Sequence, residues 1–426
     1  MKPFLTELCA RYHNLGSQLR REARYVLDTL QWHYYYRRYW RPAIRRFRSK
    51  STPVNFVFVI YDLPTWKTEA LYCDMLRHPR FSPVLAVTAH TKKPACLPQL
   101  TAYLEKKGYA YTLLDNERTL AQQLPVDVVI YQRPYSEEQP LHRFQANRRL
   151  VTVYANYGLH TIFEEWLNNL LLSKAVWHHY YEGEAFADRA RCARDHGKHI
   201  VVTGLPTLDQ IRQPASCFAD PWPARKGRKR IIWAPHYSVG SEHYEGLAYS
   251  NFLEMADAML HLATRYADQA CFAFKPHPML YPTLLRVWGK ERTDAYYDAW
   301  RNLPNGQLEE GEYIGLFKHS DALIHDCVTF LVEYLATGKP TLFVRRSEFS
   351  TFNLTRAALD AYLLHYIATD MQAVDAFVQQ VLSGHDPQQR LRHQFISKEL
   401  RAPYGRTACQ NIMHAILGTE EYASCR

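Results

Sequence analysis

A lysine and a histidine stand within one proline-bounded turn, F-A-F-K-P-H-P, at residues 272–278. Lys275 and His277 follow an apolar run that has the composition of a buried strand. Prolines commonly end strands, so one interpretation is that the turn only ends the strand and His277 faces solvent. The other interpretation is that the turn aims a cation and an imidazole at an anionic ligand, where fixed positive groups stabilise charge that develops during a reaction.

A second histidine follows the preceding apolar run in the same way. W-A-P-H-Y-S, at residues 233–238, ends a predicted strand with a proline turn that carries His236 and Ser238. One such histidine is more often structural than catalytic. Because His236 and His277 follow consecutive strands of one sheet, both are expected in the same cleft, as a general base or as cations that stabilise phosphoryl charge.

The stretch S-D-A-L-I-H-D-C-V-T-F-L-V-E-Y-L-A-T-G-K-P, at residues 320–340, predicts a strand followed directly by a helix that ends at Gly338. Such a helix start is a ready anion site. Thr329 can add a hydroxyl donor to a phosphate oxygen, and Glu333 can accept hydrogen bonds from a ribose. Alternatively, Asp326 is only a helix cap and Glu333 a solvated helix residue.

The first half of the chain contains two weaker turns of the same kind. N-Y-G-L-H, at residues 156–160, follows an apolar run, and its glycine permits a tight turn with close approach of a ligand. V-T-G-L-P-T-L-D, at residues 202–209, ends the half in a similar way. The candidate residues in these turns are Tyr157, His160 and Gly204.

The pair of histidines in H-H-Y-Y, at residues 178–181, does not predict a metal site. Neighbouring residues of a strand point to opposite faces of the sheet, so they do not ligate one ion together. The sequence contains no H-E-x-x-H pair, no Walker A loop and no nucleophile elbow. We therefore expect neither a metal nor an organic cofactor.

Short apolar runs that alternate with polar helical stretches must position these residues. Runs that are apolar throughout are typical of parallel strands covered by helices on both faces. A proline-rich, basic linker at residues 216–230 separates two such series. We predict an α/β protein with two doubly wound, Rossmann-type domains, 51–215 and 231–426, that face a cleft where ligands bind beyond the carboxyl ends of the strands. The predicted strands are 54–60, 83–89, 126–131, 149–154, 199–204, 231–235, 270–276, 321–326 and 340–344.

Composition narrows the class of protein. A chain of 426 residues is too long for one ordinary core, and 47% apolar with 22% charged residues is typical of a globular protein. Nine cysteines without a C-x-x-C pair favour reduced thiols in a cytosolic protein. The N-terminus lacks the order of a signal peptide, and no apolar stretch is long enough to span a bilayer, so we expect a soluble or peripheral protein.

The net charge of +10 is concentrated near the N-terminus. Residues 20–50 hold ten Lys and Arg against Glu22 and Asp28, and they interleave these with aromatic rings. We expect residues 1–50 to form a basic helical segment that contacts an anionic membrane surface, where Trp and Tyr settle at the headgroup level. One alternative is a helical hairpin that packs on the domain behind it. A less favoured alternative is an RNA-binding segment, and we expect no nucleic-acid partner.

The motifs V-V-T-G-L-P-T-L-D, I-I-W-A-P-H-Y-S, F-K-P-H-P and S-D-A-L-I-H-D-C-V-T-F-L-V-E-Y-L-A-T-G-K-P, in this order, resemble the CDP-glycerol glycerophosphotransferase family. This family comprises the teichoic acid polymerases and their capsule-forming relatives in Gram-negative bacteria. The resemblance covers roughly residues 150–345. It implies a GT-B-like pair of Rossmann domains, with the CDP-linked donor held mainly by the second and the acceptor by the first. The acceptor hydroxyl attacks the β-phosphate and CMP leaves.

Individual residues match the family motifs, with two departures. His277 matches the histidine of R-x-H-P, Asp326 and Thr329 match the D-Y-S-S motif, and Glu333 matches the acidic residue beyond it. Cys327 and Val328 replace the Tyr and the first Ser of that motif. Tyr157 stands where the family has the proposed base, the histidine of W-H-G, so that His160 or His236 would take over that role.

The expected function is transfer of a polyol phosphate, mainly glycerol phosphate, to a polymer or lipid-linked acceptor in capsule or cell-surface polymer synthesis. The expected catalytic residues are His277, His236, Tyr157 and His160. The expected donor-binding residues are Lys275, Asp326, Thr329, Glu333, Ser238 and Gly204. The protein would be cytoplasmic and peripheral on the inner face of the membrane. The alternatives are a GT-B glycosyltransferase that uses a nucleotide sugar, and a non-catalytic nucleotide- or glycan-binding module.

Overall fold

Two parallel β-sheets, each with helices packed against it, organise the protein. The computed structural model describes residues 26–422 except 28, 90–94, 134–143, 164–170, 193–196, 198, 224–226 and 240–248. The strands of the first sheet lie between residues 54 and 202, and those of the second between 229 and 368. The predicted pair of doubly wound domains is confirmed.

The first sheet has seven parallel strands in the order β3-β2-β1-β4-β5-β6-β7. Its strands are β1 Val54–Ile60, β2 Phe81–Val87, β3 Tyr111–Leu113, β4 Val128–Tyr131, β5 Val151–Ala155, β6 His178–Tyr181 and β7 Ile200–Val202. The helices of this half are α1 Arg41–Ser49, α2 Glu69–Arg77, α3 Cys96–Lys107, α4 Leu120–Gln123, α5 Phe144–Asn147, α6 Leu171–Lys174, α7 Glu184–Arg191 and α8 Pro206–Arg212. Strand β4 is buried along its whole length, as expected for a central parallel strand.

The second sheet has six parallel strands in the order β10-β9-β8-β11-β12-β13. Its strands are β8 Lys229–Ala234, β9 Ala270–Phe274, β10 Gly306–Leu308, β11 Ala322–His325, β12 Thr341–Val344 and β13 Tyr366–Ala368. The helices that follow the start of this sheet are α9 Phe252–Arg265, α10 Leu280–Val287, α11 Lys290–Asn302, α12 Ile314–His319, α13 Phe330–Glu333, α14 Arg356–Tyr362, α15 Met371–Ser383, α16 Gln389–Glu399 and α17 Ala408–Leu417. The carboxyl ends of β8, β9 and β11 meet at one edge.

The predicted helix after β11 is shorter than expected. Helix α13 has four residues and continues as a 3-10 turn, Leu335–Thr337, which ends at Gly338 in the left-handed conformation. No side chain caps α13 in the manner predicted for Asp326. The carboxylate of Asp326 instead accepts the backbone N–H of His236.

The N-terminal segment packs on the first half. Residues 29–35 are helical and lead through a π-helical turn, Tyr36–Trp40, into α1. Trp40 and Phe47 are buried, and the Trp40 Nε1 donates to the Arg148 carbonyl at 3.0 Å. The headgroup position expected for Trp and Tyr is therefore wrong for Trp40, and the Trp40 and Phe47 rings anchor the segment to the protein. Residues 1–25 lie outside the described part of the chain.

The last helix returns to the first half. Cys409, Ile412 and Ile416 of α17 belong to the core of the first sheet, although residues 231–426 were predicted as the second domain. Gly204 makes this crossing possible, because its φ is +86° and a Cβ there would lie 2.7 Å from the Ala402 Cβ. The donor contact expected of Gly204 is thus corrected to a packing role.

A short backbone pairing joins the two halves beside the cleft. Ile162 and Leu354 form an isolated antiparallel bridge. Next to it, the Phe163 N–H donates to the Asn353 carbonyl at 2.7 Å, and the Thr355 N–H donates to the Thr161 carbonyl at 2.9 Å. Among the described residues, no helix combines the length and the apolar character that a membrane crossing needs.

Candidate functional site

The K-P-H-P turn is tied to the neighbouring strand, which answers how Lys275 and His277 are held. The Lys275 N–H donates to the Trp233 carbonyl at 2.8 Å, and the His277 N–H donates to the Pro235 carbonyl at 3.1 Å. The His277 Nδ1 accepts the Met279 N–H at 3.1 Å. A neutral His277 ring therefore carries its proton on Nε2.

His236 and His277 lie together, as expected for residues after adjacent strands. Their ring centroids are 5.0 Å apart. The His236 Nδ1 faces the Ser238 hydroxyl at 2.8 Å and accepts the Ser238 N–H at 3.3 Å, so its proton also belongs on Nε2. Burial, and then the neighbouring His277, lower the pKa of His236 well below its usual range. His236 is thus a neutral hydrogen-bond donor.

Ser238 and Asp326 position His236 instead of lining the cleft. Ser238 is fully buried, and its Oγ also accepts the Tyr249 N–H at 3.1 Å. The Asp326 Oδ1 accepts the His236 N–H at 2.6 Å, and burial raises the pKa of Asp326 to about 7. Their predicted direct contacts with the donor are corrected to this supporting role.

Lys275 brings a buried amine to the same edge. It is only 7% exposed, and its Nζ donates to the Glu309 carbonyl at 3.4 Å, a long hydrogen bond. Burial lowers the pKa of Lys275 to about 8, and the charge of Lys67 contributes to this shift. A bound anion would restore full protonation of this amine.

Lys67 of the first half meets Tyr313 and Glu333 of the second half across the cleft. The Lys67 Nζ lies 3.4 Å from the Tyr313 Oη and 4.5 Å from the centre of its ring. Tyr313 donates its hydroxyl to Glu333, which is 5% exposed. Burial raises the pKa of Glu333 and lowers that of Lys67. Glu333 is therefore not the solvated helix residue considered as an alternative.

The N-Y-G turn approaches the second half closely. A Cβ on Gly158 would lie 3.7 Å from the Thr329 Cγ2, so the turn and Thr329 are in contact distance across the cleft. The Tyr157 N–H donates to the Gln132 carbonyl at 3.0 Å, and the Arg133 guanidinium lies 5.9 Å from the centre of the Tyr157 ring. The turn that carries Tyr157 is thus brought to Thr329 through Gly158.

His160 is held inside the first half. Its Nδ1 lies 3.0 Å from the Glu182 Oε2, and its Nε2 lies 3.2 Å from the His179 Nε2. The ring also stacks on Tyr181, with centroids 3.9 Å apart. Both ring nitrogens are engaged by buried partners, so this geometry does not support the role of base expected for His160.

Cys327 takes no part in nucleophilic chemistry here. The thiol is buried, and burial raises the pKa of Cys327 to about 11. Thiolates are the reactive form of cysteine, so this residue stays protonated and inert near neutral pH. Among the described residues, no group of three or more His, Cys, Asp or Glu side chains is arranged to hold a metal ion.

Sequence reasoning missed Lys67, Tyr313, Gln132 and Arg133. Gln132 and Arg133 follow β4 directly, and Lys67 lies seven residues beyond β1. The rule that selected the strand-end residues of the second half would therefore have found the two residues after β4. Tyr313 precedes a helix, and nothing in its sequence position marks it.

Comparison with known proteins identifies the fold. No protein-family model matches the sequence, and no curated protein does. A structure of the wall teichoic acid polymerase TagF soaked with CDPG has a TM-score of 0.59 and 13% identity, covering 94% of this chain and 97% of that chain. The S. aureus MnaA complex with UDP has a TM-score of 0.56 and 15% identity, covering 87% and 97%. The UDP-GlcNAc 2-epimerase from Neisseria meningitidis bound to UDP-GlcNAc has a TM-score of 0.53 and 14% identity, covering 86% and 99%.

The chain shares the two-sheet fold of these proteins. The GT-B-like architecture implied by the sequence resemblance is therefore confirmed. Identities of this size establish the fold alone, so the activity has to be argued from the cleft.

Proposed function

We propose that the protein transfers a polyol phosphate, in the first instance glycerol phosphate, from a CDP-activated donor to an acceptor hydroxyl. The bond between the acceptor oxygen and the β-phosphorus forms, the bond from that phosphorus to the bridging oxygen breaks, and CMP leaves with the electron pair. The acceptor's proton passes to solvent or to a group at the acceptor side. The single observation that carries this proposal is the convergence of Lys275, His277 and His236 at one strand edge.

The cluster suits a pyrophosphate because its donors are fixed before the ligand arrives. Both imidazoles accept a local N–H at Nδ1 and carry a proton on Nε2, and Lys275 supplies a buried amine. Phosphoryl transfer through a loose transition state depends mainly on such positioning and charge stabilisation. Neither His236 in this tautomer nor His160 is then the base, and Tyr157 is the polar side chain that we assign to the acceptor side.

The rival chemistry is glycosyl transfer from a nucleotide sugar. Tyr157 in place of the histidine of the resembled family favours a changed activity. The two reactions release different products, since phosphate transfer yields a nucleoside monophosphate and glycosyl transfer yields a nucleoside diphosphate.

Identification of the released nucleotide tests the proposal. Purified protein is offered CDP-glycerol, CDP-ribitol, UDP-GlcNAc and UDP-glucose, each with a crude membrane acceptor, and the products are separated by chromatography. CMP from a CDP-polyol is the expected result. Release of a nucleoside diphosphate from a sugar donor would replace the proposal by glycosyl transfer.

We further propose that the protein works at the cytoplasmic face of the membrane in the synthesis of a capsule or cell-surface polymer. The exposed face of the N-terminal helical region supports this. It presents apolar side chains followed by arginines at helical spacing: Leu27, Leu30, Tyr34, Arg37, Arg38, Arg41 and Arg45. We call this the N-terminal stripe, and its composition suits an anionic lipid surface. All seven cysteines among the described residues are free, as in a reducing compartment.

A further inference from the structure

Lys67 is fixed so that its amine enters the cleft from the first half. Its backbone N–H donates to the Gln132 Oε1 at 2.8 Å. The carbonyl of Gln132, which is buried, accepts the Tyr157 N–H at 3.0 Å. The loop that carries Lys67 is therefore linked to the N-Y-G turn, and its Nζ reaches the Tyr313 hydroxyl of the second half at 3.4 Å.

One desolvated amine from each half approaches the same loop of the second half. The Lys275 Nζ reaches the Glu309 carbonyl at 3.4 Å and the Lys67 Nζ reaches the Tyr313 hydroxyl at 3.4 Å, so both amines contact the segment between β10 and α12. The charge of Lys67 also contributes, after burial, to the lowered pKa of Lys275. The Glu333 carboxylate attracts Lys67 and is held by the Tyr313 hydroxyl. Carboxylates attract both amines: Glu333, Asp62 and Glu312 act on Lys67, and Glu309 and Glu310 act on Lys275. Burial lowers the pKa of each amine all the same, so a bound anion would favour the charged form of both.

We propose that Lys67 binds the β-phosphate of the nucleotide-linked donor, so that the first half completes a diphosphate site whose other groups come from the second half. This inference deepens the proposed function and rests on it. When the donor binds, Lys67 exchanges Glu333 for the phosphate, and Glu333 becomes available to the ribose hydroxyls. The β-phosphate is the group transferred, so its contact with Lys67 is lost from CMP when the product forms.

Lys67 is thus a specificity-determining residue that distinguishes nucleoside diphosphates from monophosphates. A charge-assisted hydrogen bond of this kind changes affinity by at least about tenfold. The effect should appear with CDP and be absent with CMP. A residue that only stabilised the fold or the general potential of the cleft would change the affinity for both ligands.

Calorimetric titration of the full-length protein with CDP, CMP, UDP and UMP tests this assignment. Lys67→Met removes the charge, Lys67→Arg keeps it, and Lys67→Gln serves if the methionine variant does not fold. Lys106→Met, at an exposed lysine of α3, is the matched control. Thermal unfolding confirms that each variant is folded before titration.

The expected result is that Lys67→Met weakens CDP binding at least about tenfold and leaves CMP binding within about twofold, with recovery in Lys67→Arg. Equal weakening of CDP and CMP, or no change in either, would overturn the inference, as would wild-type protein that binds no nucleoside diphosphate. If wild-type protein binds UDP and not CDP, the proposed CDP donor is wrong. A change of about tenfold in the ratio of the affinities for UDP and UMP in Lys67→Met would then still support the role of Lys67.

Discussion

At the scale of residues, two imidazoles are set as donors by the groups behind them. The Met279 N–H fixes the proton of His277, and Ser238 fixes that of His236. Asp326 in turn holds the backbone of His236. The orientation of the two rings therefore depends on buried residues that lie behind them.

Asp326 gives a pH-dependent prediction. Burial raises the pKa of Asp326 from 3.8 to about 7, so between these values the folded protein holds a proton that the unfolded chain has released. Its contribution to stability is therefore present at low pH and is lost as the pH rises through about 7. Asp326→Asn keeps an oxygen acceptor for the His236 N–H and does not titrate.

The expected outcome is that the melting temperature of Asp326→Asn rises relative to wild type between about pH 5 and about pH 8. Other titrating groups are common to both proteins and cancel in the comparison. A difference in melting temperature that stays constant over this range would contradict the assigned protonation of Asp326.

Polar residues that directly follow parallel strands meet at one edge of the sheet, and this rule was enough to predict Lys275, His277 and His236 as neighbours. It could not distinguish a ligand-facing polar residue from one buried behind it, because burial depends on chain segments distant in sequence. Ser238 and Asp326 were mistaken for ligand contacts for this reason. Lys67 was missed because a loop separates it from the end of its strand.

At the scale of elements, the crossing of α17 to the first half depends on Gly204. A Cβ at this position would lie 2.7 Å from the Ala402 Cβ and 3.1 Å from the Ala408 Cβ, on a backbone with φ of +86°. We expect Gly204→Ala to destabilise the fold by roughly 2–4 kcal/mol, measured by urea unfolding. Gly108→Ala is a matched control, because Gly108 has φ of +69° and no atom within 4 Å of its Cβ position.

Gly108→Ala should lower the free energy of unfolding by only about 1 kcal/mol, the cost of placing alanine in a left-handed backbone conformation. Equal losses for the two variants would show that packing against Ala402 contributes nothing and that the crossing of α17 does not require glycine.

The N-terminal stripe gives a prediction about membrane binding. Each basic residue near an anionic surface contributes on the order of 1 kcal/mol to the free energy of membrane binding. We therefore expect about 100-fold weaker vesicle binding when Arg37, Arg38 and Arg41 are changed together to Gln. Co-sedimentation with phosphatidylserine vesicles measures this change. Binding that is unaffected by the triple change would remove the stripe as the membrane contact.

The matched control changes three exposed arginines of the second half to Gln, which alters net charge equally. These are Arg286, Arg292 and Arg390. If this control loses as much binding as the triple change in the stripe, total charge and not the stripe attracts the protein to the vesicles.

Nine strands were predictable because continuous apolar runs mark buried parallel strands. The missed strands β3, β10 and β13 have three residues each and lie at sheet edges, where burial imposes little apolar pattern. Strand β6 is not among the apolar runs, because its His-His-Tyr-Tyr sequence is buried although its composition is polar. Its strand geometry was assumed only in the argument against a metal site. The helix predicted to follow β11 and to end at Gly338 consists of two short pieces.

At the scale of the whole molecule, the two halves meet through specific contacts that no local pattern encodes. The bridge between Ile162 and Leu354 joins residues far apart in the chain, as does the contact of Lys67 with Tyr313. The sequence predicted two domains and a cleft, whereas the groups that face each other across it became visible only in the fold.

The central claim is that this cleft transfers a phosphate group with His277 at the pyrophosphate. The most direct test is the rate of CMP release from CDP-glycerol, with a membrane acceptor, by wild type and by His277→Ala, each checked for folding. We expect CMP release by wild type and a rate at least about 100-fold lower in the variant, because a preorganised donor to developing charge is removed. A variant with nearly the wild-type rate would contradict the account.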